Sequence, residues 1–129
     1  MTQATTHFST ISRVIVGVSD QDRAIDFYVG TLGFEKTSDT PFGDGDRWVE
    51  VSTPEGGTTI ALANPPGGTA DGAMTGISLR TANVEAAHEH LRSQGVDVDE
   101  ILRFDPPVPP MFFFRDQDGN TLHVSQDAA

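Results

Sequence analysis

The feature that most constrains this chain is an internal repeat, because a duplicated unit changes the meaning of every position inside it. The first copy opens with the alternating run Arg13 to Val18, then Asp20, an apolar-periodic stretch from Arg23 to Leu32, and Gly33. The second opens with Gly76 to Thr81, then Asn83, a stretch from Val84 to Ser93, and Gly95. In each copy the alternation predicts a strand, the Asp or Asn an N-cap, the periodic stretch a helix and the glycine its stop. Three strand-like runs follow: Phe34 to Thr37, Arg47 to Val51 and Thr58 to Ala63, then Val96 to Phe104, Met111 to Phe114 and Thr121 to Ser125. Asp20 matches Asn83, Gly33 matches Gly95 and Ile60 matches Leu122, at an offset of about 62 residues. The order is βαβββ, twice.

A chain of 129 residues can bury one core but not two of ordinary size, so one compact domain is expected. Its parts read as a flexible lead-in over 1–10, a first module over 11–66, a linker over 67–74 and a second module over 75–127. The breaker-rich run Asn64 to Gly72 marks the connection. Asp116 to Asn120 reads as a tight hairpin turn, with Gly119 and Asn120 tolerating positive φ. Pro106 to Pro110 and Thr40 to Asp46 fall at matching places before the third strand of each module, as candidate pocket rims.

Nineteen acidic residues against eight basic ones give a formal charge of -11. Such a field repels phosphate backbones and anionic lipid, which argues against nucleic-acid and membrane partners and favours a cationic ligand. With no cysteine there is no disulfide framework, thiolate nucleophile or cysteine metal site. Met1 to Thr10 lacks the basic and apolar regions of a secretion signal, and no run approaches the ~18 apolar residues of a membrane span, so a cytoplasmic location is expected.

Two motifs carry a family resemblance over residues 11 to 126. Asp20-x-x-x-Ala24-Ile-Asp-Phe27-Tyr28-x-x-x-Leu32-Gly33-Phe34 resembles the first-helix signature of the vicinal-oxygen-chelate superfamily, which includes glyoxalases, bleomycin-resistance proteins and extradiol dioxygenases. Phe114-Arg-Asp116-x-Asp118-Gly119-Asn120 resembles its closing hairpin. The resemblance implies an α+β fold, in which two tandem βαβββ modules form a curved mixed sheet around a cleft with helices on the outer face. It also implies pairing into a homodimer, for which an open sheet edge gives a physical reason. The motif residues themselves read as structural: Phe27 and Tyr28 share a helix with Ile25 and Leu32, the spacing of core packing.

Side chains alternate across a strand, so the set that packs on the helices identifies the set lining the other face. Val14, Val16 and Val18 leave Arg13, Ile15 and Gly17; Val49 and Val51 leave Trp48 and Glu50; Ile60 and Leu62 leave Thr59, Ala61 and Ala63. Ile77 and Leu79 leave Gly76, Ser78 and Arg80, and Leu122 and Val124 leave Thr121, His123 and Ser125. Equivalence with the first module puts Met111 and Phe113 in the cleft. The candidate ligand-binding residues are therefore Arg13, Trp48, Glu50, Ser78, Met111, Phe113 and His123, a few polar groups among apolar ones.

In metal-using relatives the resemblance implies ligands at the start of the first strand and within the last strand of each module. Here those places hold Arg13, Ala61, Gly76 and His123. Only His123 can coordinate, and Arg13 brings a permanent positive charge, so no metal ligands are assigned and no cofactor is expected. A shifted divalent site joining Glu50 to His123 is disfavoured. His88 and His90 are two apart on a helix and form no metal clip.

Three functions are open. The leading one is a small-molecule-binding protein of the bleomycin-resistance type, without the usual metal centre, holding a hydrophobic ligand that the acidic field allows to be cationic. The second is a divalent-metal lyase, isomerase or dioxygenase of the glyoxalase or extradiol type. The third is a metal-free enzyme with Glu50 and His123 as its catalytic acid and base.

Overall fold

The computed structural model describes residues 2–64 and 72–126, so most of the expected linker, 67–71, lies outside the described residues. The elements run β1 (Arg13–Gly17), α1 (Gln21–Ile25, continued by a π-helical turn Asp26–Thr31), β2 (Glu35–Phe42), β3 (Asp46–Ser52), β4 (Thr59–Ala63), β5 (Met74–Thr81), α2 (Val84–Ser93), β6 (Met111–Arg115) and β7 (Thr121–Gln126). The class is α+β, built from a four-stranded sheet ordered β1-β4-β3-β2 and a three-stranded sheet ordered β5-β7-β6. In both, the first strand of the module pairs parallel with the last, Val14 opposite Ile60 and Leu79 opposite Val124.

Both caps form. The side chains of Asp20 and Asn83 accept from the backbone N–H three residues on, at Arg23 and Ala86, and Gly33 and Gly95 close the helical segments at φ of 82 and 80. The first helix starts two residues earlier than its apolar period suggests and then widens: Leu32 N–H reaches Phe27 C=O five residues back. The extra residue in that turn brings neighbouring Phe27 and Tyr28 both to the core, where Tyr28 is fully buried and Phe27 packs on Phe114.

Two other expected elements differ. Val96 to Phe104 forms no continuous strand and pairs with β6 through isolated bridges, Val98 to Phe114 and Leu102 to Met111. Between the two bridges lie residues 99–101 on one side and 112–113 on the other, one more than the partner can match, so the ladder cannot stay in register. The first-module counterpart is instead longer than expected: β2 runs to Phe42 and turns at Gly43 and Gly45, both at positive φ, so half of the Thr40–Asp46 rim is strand.

The helix-bearing faces of the two sheets share one core, with Val16, Val49, Val51 and Leu62 from the first and Phe112, Phe114, Leu122 and Val124 from the second. The turn after β6 clasps the modules together. Asp118 accepts from the backbone and hydroxyl of Ser19, and the Asn120 amide donates to Gly17 C=O. Within this turn Gly119 alone takes positive φ, and Asn120 does not.

Candidate functional site

With the helix-side residues buried, the opposite face of each sheet stays open. On the first sheet it carries Arg13, Ile15, Trp48 and Glu50; on the second, Ser78, Met111, Phe113 and His123. Each set closes on itself, and among the described residues no hydrogen bond, ion pair or ring contact joins them. Glu50 and His123 stand on different sheets within one chain, each on one candidate half-cleft.

The first half-cleft is organised by Glu50. Register puts Glu50 opposite Ala61 on β4, which lies between it and Ile15 on β1. One carboxylate oxygen accepts from the Thr59 hydroxyl, the other from Trp48 Nε1 and from Arg13 Nε at 3.2 Å. The Thr59 hydrogen bond, then that of Trp48, holds the Glu50 carboxyl below its ordinary value, against the opposing effect of desolvation. The Glu50 side chain is 12% exposed and that of Arg13 46%. Phe42, directly across the hairpin from Asp46 and so on the Trp48 side of the sheet, packs on the indole at 5.8 Å. A recess of about 120 Å³ borders this aromatic pair.

Phe42 has no place among the sequence-derived lining residues. The signal available was the Gly43-Asp-Gly45 turn, which fixes the hairpin register and thereby the face Phe42 shares with Trp48.

The second half-cleft is organised by His123. Register places Ser78 beside it, and the Ser78 hydroxyl meets Nδ1 at 2.7 Å. Nε2 meets Met111 Sδ at 3.1 Å, and the Phe113 ring lies 5.0 Å from the imidazole. A thioether has no proton to give, so in neutral His123 the N–H sits on Nε2 and Nδ1 accepts from Ser78. Just before Ser78, β5 bulges between Met74 and Ser78 and turns through Gly76 at φ 75. Leu102 stands opposite Met111 and extends the apolar wall.

The sequence profile of the Glyoxalase/Bleomycin resistance protein/Dioxygenase superfamily matches residues 10–124. The chain belongs to this superfamily. Solved members share its fold. TnmS3, described as an antibiotic binding protein from Streptomyces sp. CB03234, is 32% identical with a TM-score of 0.83, over 96% of this chain and 100% of that one. A superfamily member from Sphaerobacter thermophilus DSM 20745 is 32% identical with a TM-score of 0.86, over 95% and 100%. A glyoxalase/bleomycin resistance protein from Streptomyces sp. CB03234 is 34% identical with a TM-score of 0.76, over 92% and 100%. No curated protein matches the chain.

The positions at which the resemblance implies metal ligands are Arg13, Ala61, Gly76 and His123. Ala61 and Gly76 carry no donor, Arg13 is a cation already paired to Glu50, and His123 has both ring nitrogens engaged. Among the described residues no three His, Cys, Asp or Glu side chains gather to hold an ion. No helix among them is long and apolar enough to cross a membrane.

Proposed function

We propose that this superfamily member binds a hydrophobic aromatic small molecule and releases it unchanged, with no resident metal. The observation that carries this reading is the Arg13–Glu50–Trp48 assembly, which lines the first half-cleft with a Glu50-anchored ion pair and an aromatic wall. A carboxylate with three donors and a lowered proton affinity is a weak base, which counts against Glu50 as the acid–base partner of His123. The antibiotic-binding description of TnmS3 lends support from outside the chain.

The cleft is completed by a second copy. Ile15, Phe42, Met74 and Leu102 are large apolar side chains left exposed on the open sides of the two sheets. Surface of that kind favours association. Each full site then joins the first half-cleft of one protomer to the second half-cleft of its partner, so that Arg13 and His123 face one ligand from two chains.

Trp48 is the single tryptophan, so its emission reports the first half-cleft directly. Titration with a panel of aromatic antibiotics is expected to give saturable changes, weakened about tenfold or more by Trp48→Ala and by His123→Ala. Unchanged affinity in both variants removes the assignment. Elemental analysis after chelator-free purification, followed by addition of nickel, zinc, manganese or iron, tests the metal. One equivalent of bound metal with a gain of activity favours a lyase or dioxygenase instead.

A further inference from the structure

Net charge favours a cationic ligand, but the local geometry of the first half-cleft presents the opposite sign. Glu50 is largely covered and its charge is spent on Arg13, Trp48 and Thr59. Arg13 donates to Glu50 through Nε, and its two Nη nitrogens make no hydrogen bond to the described residues. The charge that this face offers to solvent beside Trp48 is therefore a guanidinium edge.

Two other charged groups share this side of the sheet: Asp46, which is bonded to Asn64 Nδ2 and lies four strand residues from Glu50, on the order of 13 Å away, and Glu35, which stands opposite Ser52 on β2, three strand spacings from Arg13 on β1, on the order of 14 Å away. Charges separated by more than about 8 Å are largely screened at physiological ionic strength. The group in contact with the ligand, not the total of -11, decides the sign.

We propose that Arg13 is a fixed cation standing at a position where metal-using members begin their ligand set, and that its two Nη donors bind the carboxylate or phenolate of an aromatic acid whose ring lies against Trp48. The proposal rests on the binding-protein reading above and adds the charge class of its ligand. Glu50 is the positioning residue: by holding Nε and the indole N–H on one oxygen, it fixes the guanidinium and the aromatic wall side by side. A planar two-pronged donor matches a carboxylate, and no protonation step is needed to keep it charged.

Calorimetry with 2-naphthoate, 2-naphthylmethanol and (2-naphthylmethyl)ammonium, three probes of one ring and three charges, tests this. The acid is expected to bind about tenfold or more tightly than the alcohol, and the ammonium least tightly. In Arg13→Gln the acid-to-alcohol affinity ratio, which is the readout, falls to about one. Should Arg13→Gln lose all binding, Arg13→Lys decides: a retained acid preference supports the fixed cation and a lost one overturns it. An ammonium probe that matches or exceeds the acid, or an unchanged ratio in Arg13→Gln, overturns the proposal and leaves the binding-protein reading standing. Failure of all three probes to bind overturns both.

Discussion

The Tyr28 hydroxyl donates a 2.8 Å hydrogen bond to Asp116 Oδ2, joining the first helix of one module to the closing turn of the other. Both groups are buried, and burial followed by the nearby Asp116 charge pushes the phenol far above its ordinary range, which favours the protonated, donating form. Asp116 also accepts from the backbone of Asp118 and Asn120 and from the Asn120 amide. Tyr28→Phe removes one of these donors and keeps the ring. Urea unfolding is expected to show a loss of about 1–3 kcal/mol, with the slope unchanged.

Because one core serves both modules, the chain is expected to unfold as a unit. Phe114→Ala deletes a fully buried ring that packs on Phe27 across the module boundary. Its expected cost is about 3–5 kcal/mol. Trp48 emission, which reports only the first module, and far-ultraviolet dichroism, which reports both, should give coincident transitions in the native chain. Separate midpoints would contradict a shared core.

Gly72 is a second point of sensitivity. A Cβ at this position would sit 2.8 Å from Gly119 C=O, and its φ is 74. Gly72→Ala thus combines left-handed strain with a backbone clash against the clasping turn. A loss of about 1–3 kcal/mol is expected, visible as a lower urea midpoint. A neutral result would mean the turn and Gly72 lie further apart.

Acid titration reads the Glu50 assembly. Its folded-state carboxyl lies below the ordinary 4.5, chiefly through Thr59 and Trp48, so the stability it contributes is present above 4.5 and is lost as pH falls through the lower folded value. Trp48 emission should stay level as pH falls to 4.5 and change only below it. Glu50→Gln should shift the emission at neutral pH and abolish that acid step. A native transition centred at or above 4.5 would mean the three donors do not hold the carboxylate.

Light scattering at micromolar concentration should give twice the 13.8 kDa chain mass. Replacing exposed Ile15 with Lys, on the open face of the first sheet, should shift the population towards monomer and weaken aromatic ligands together with it. Ligand affinity that survives in a true monomer would show that one half-cleft suffices.

Much of the fold was legible in the sequence because its signals are local. Caps at Asp20 and Asn83, stops at Gly33 and Gly95 and the two-residue alternation of each strand depend on neighbours a few positions away. Those same signals name Arg13, Trp48, Glu50, Ser78 and His123 as residues off the helix side, whereas Met111 and Phe113, in an all-apolar run, needed the equivalence of the two modules. What alternation cannot convey is which strands share a sheet, and so which of those residues meet. Only tertiary structure separates them into a set around Glu50 and a set around His123, widens the first helix to seat Tyr28 against Asp116, and breaks the ladder after Val98 through one surplus residue. Partners far apart in the chain, such as Arg13 and Glu50, are chosen by register and packing, interactions that come into being only once the sheets have formed.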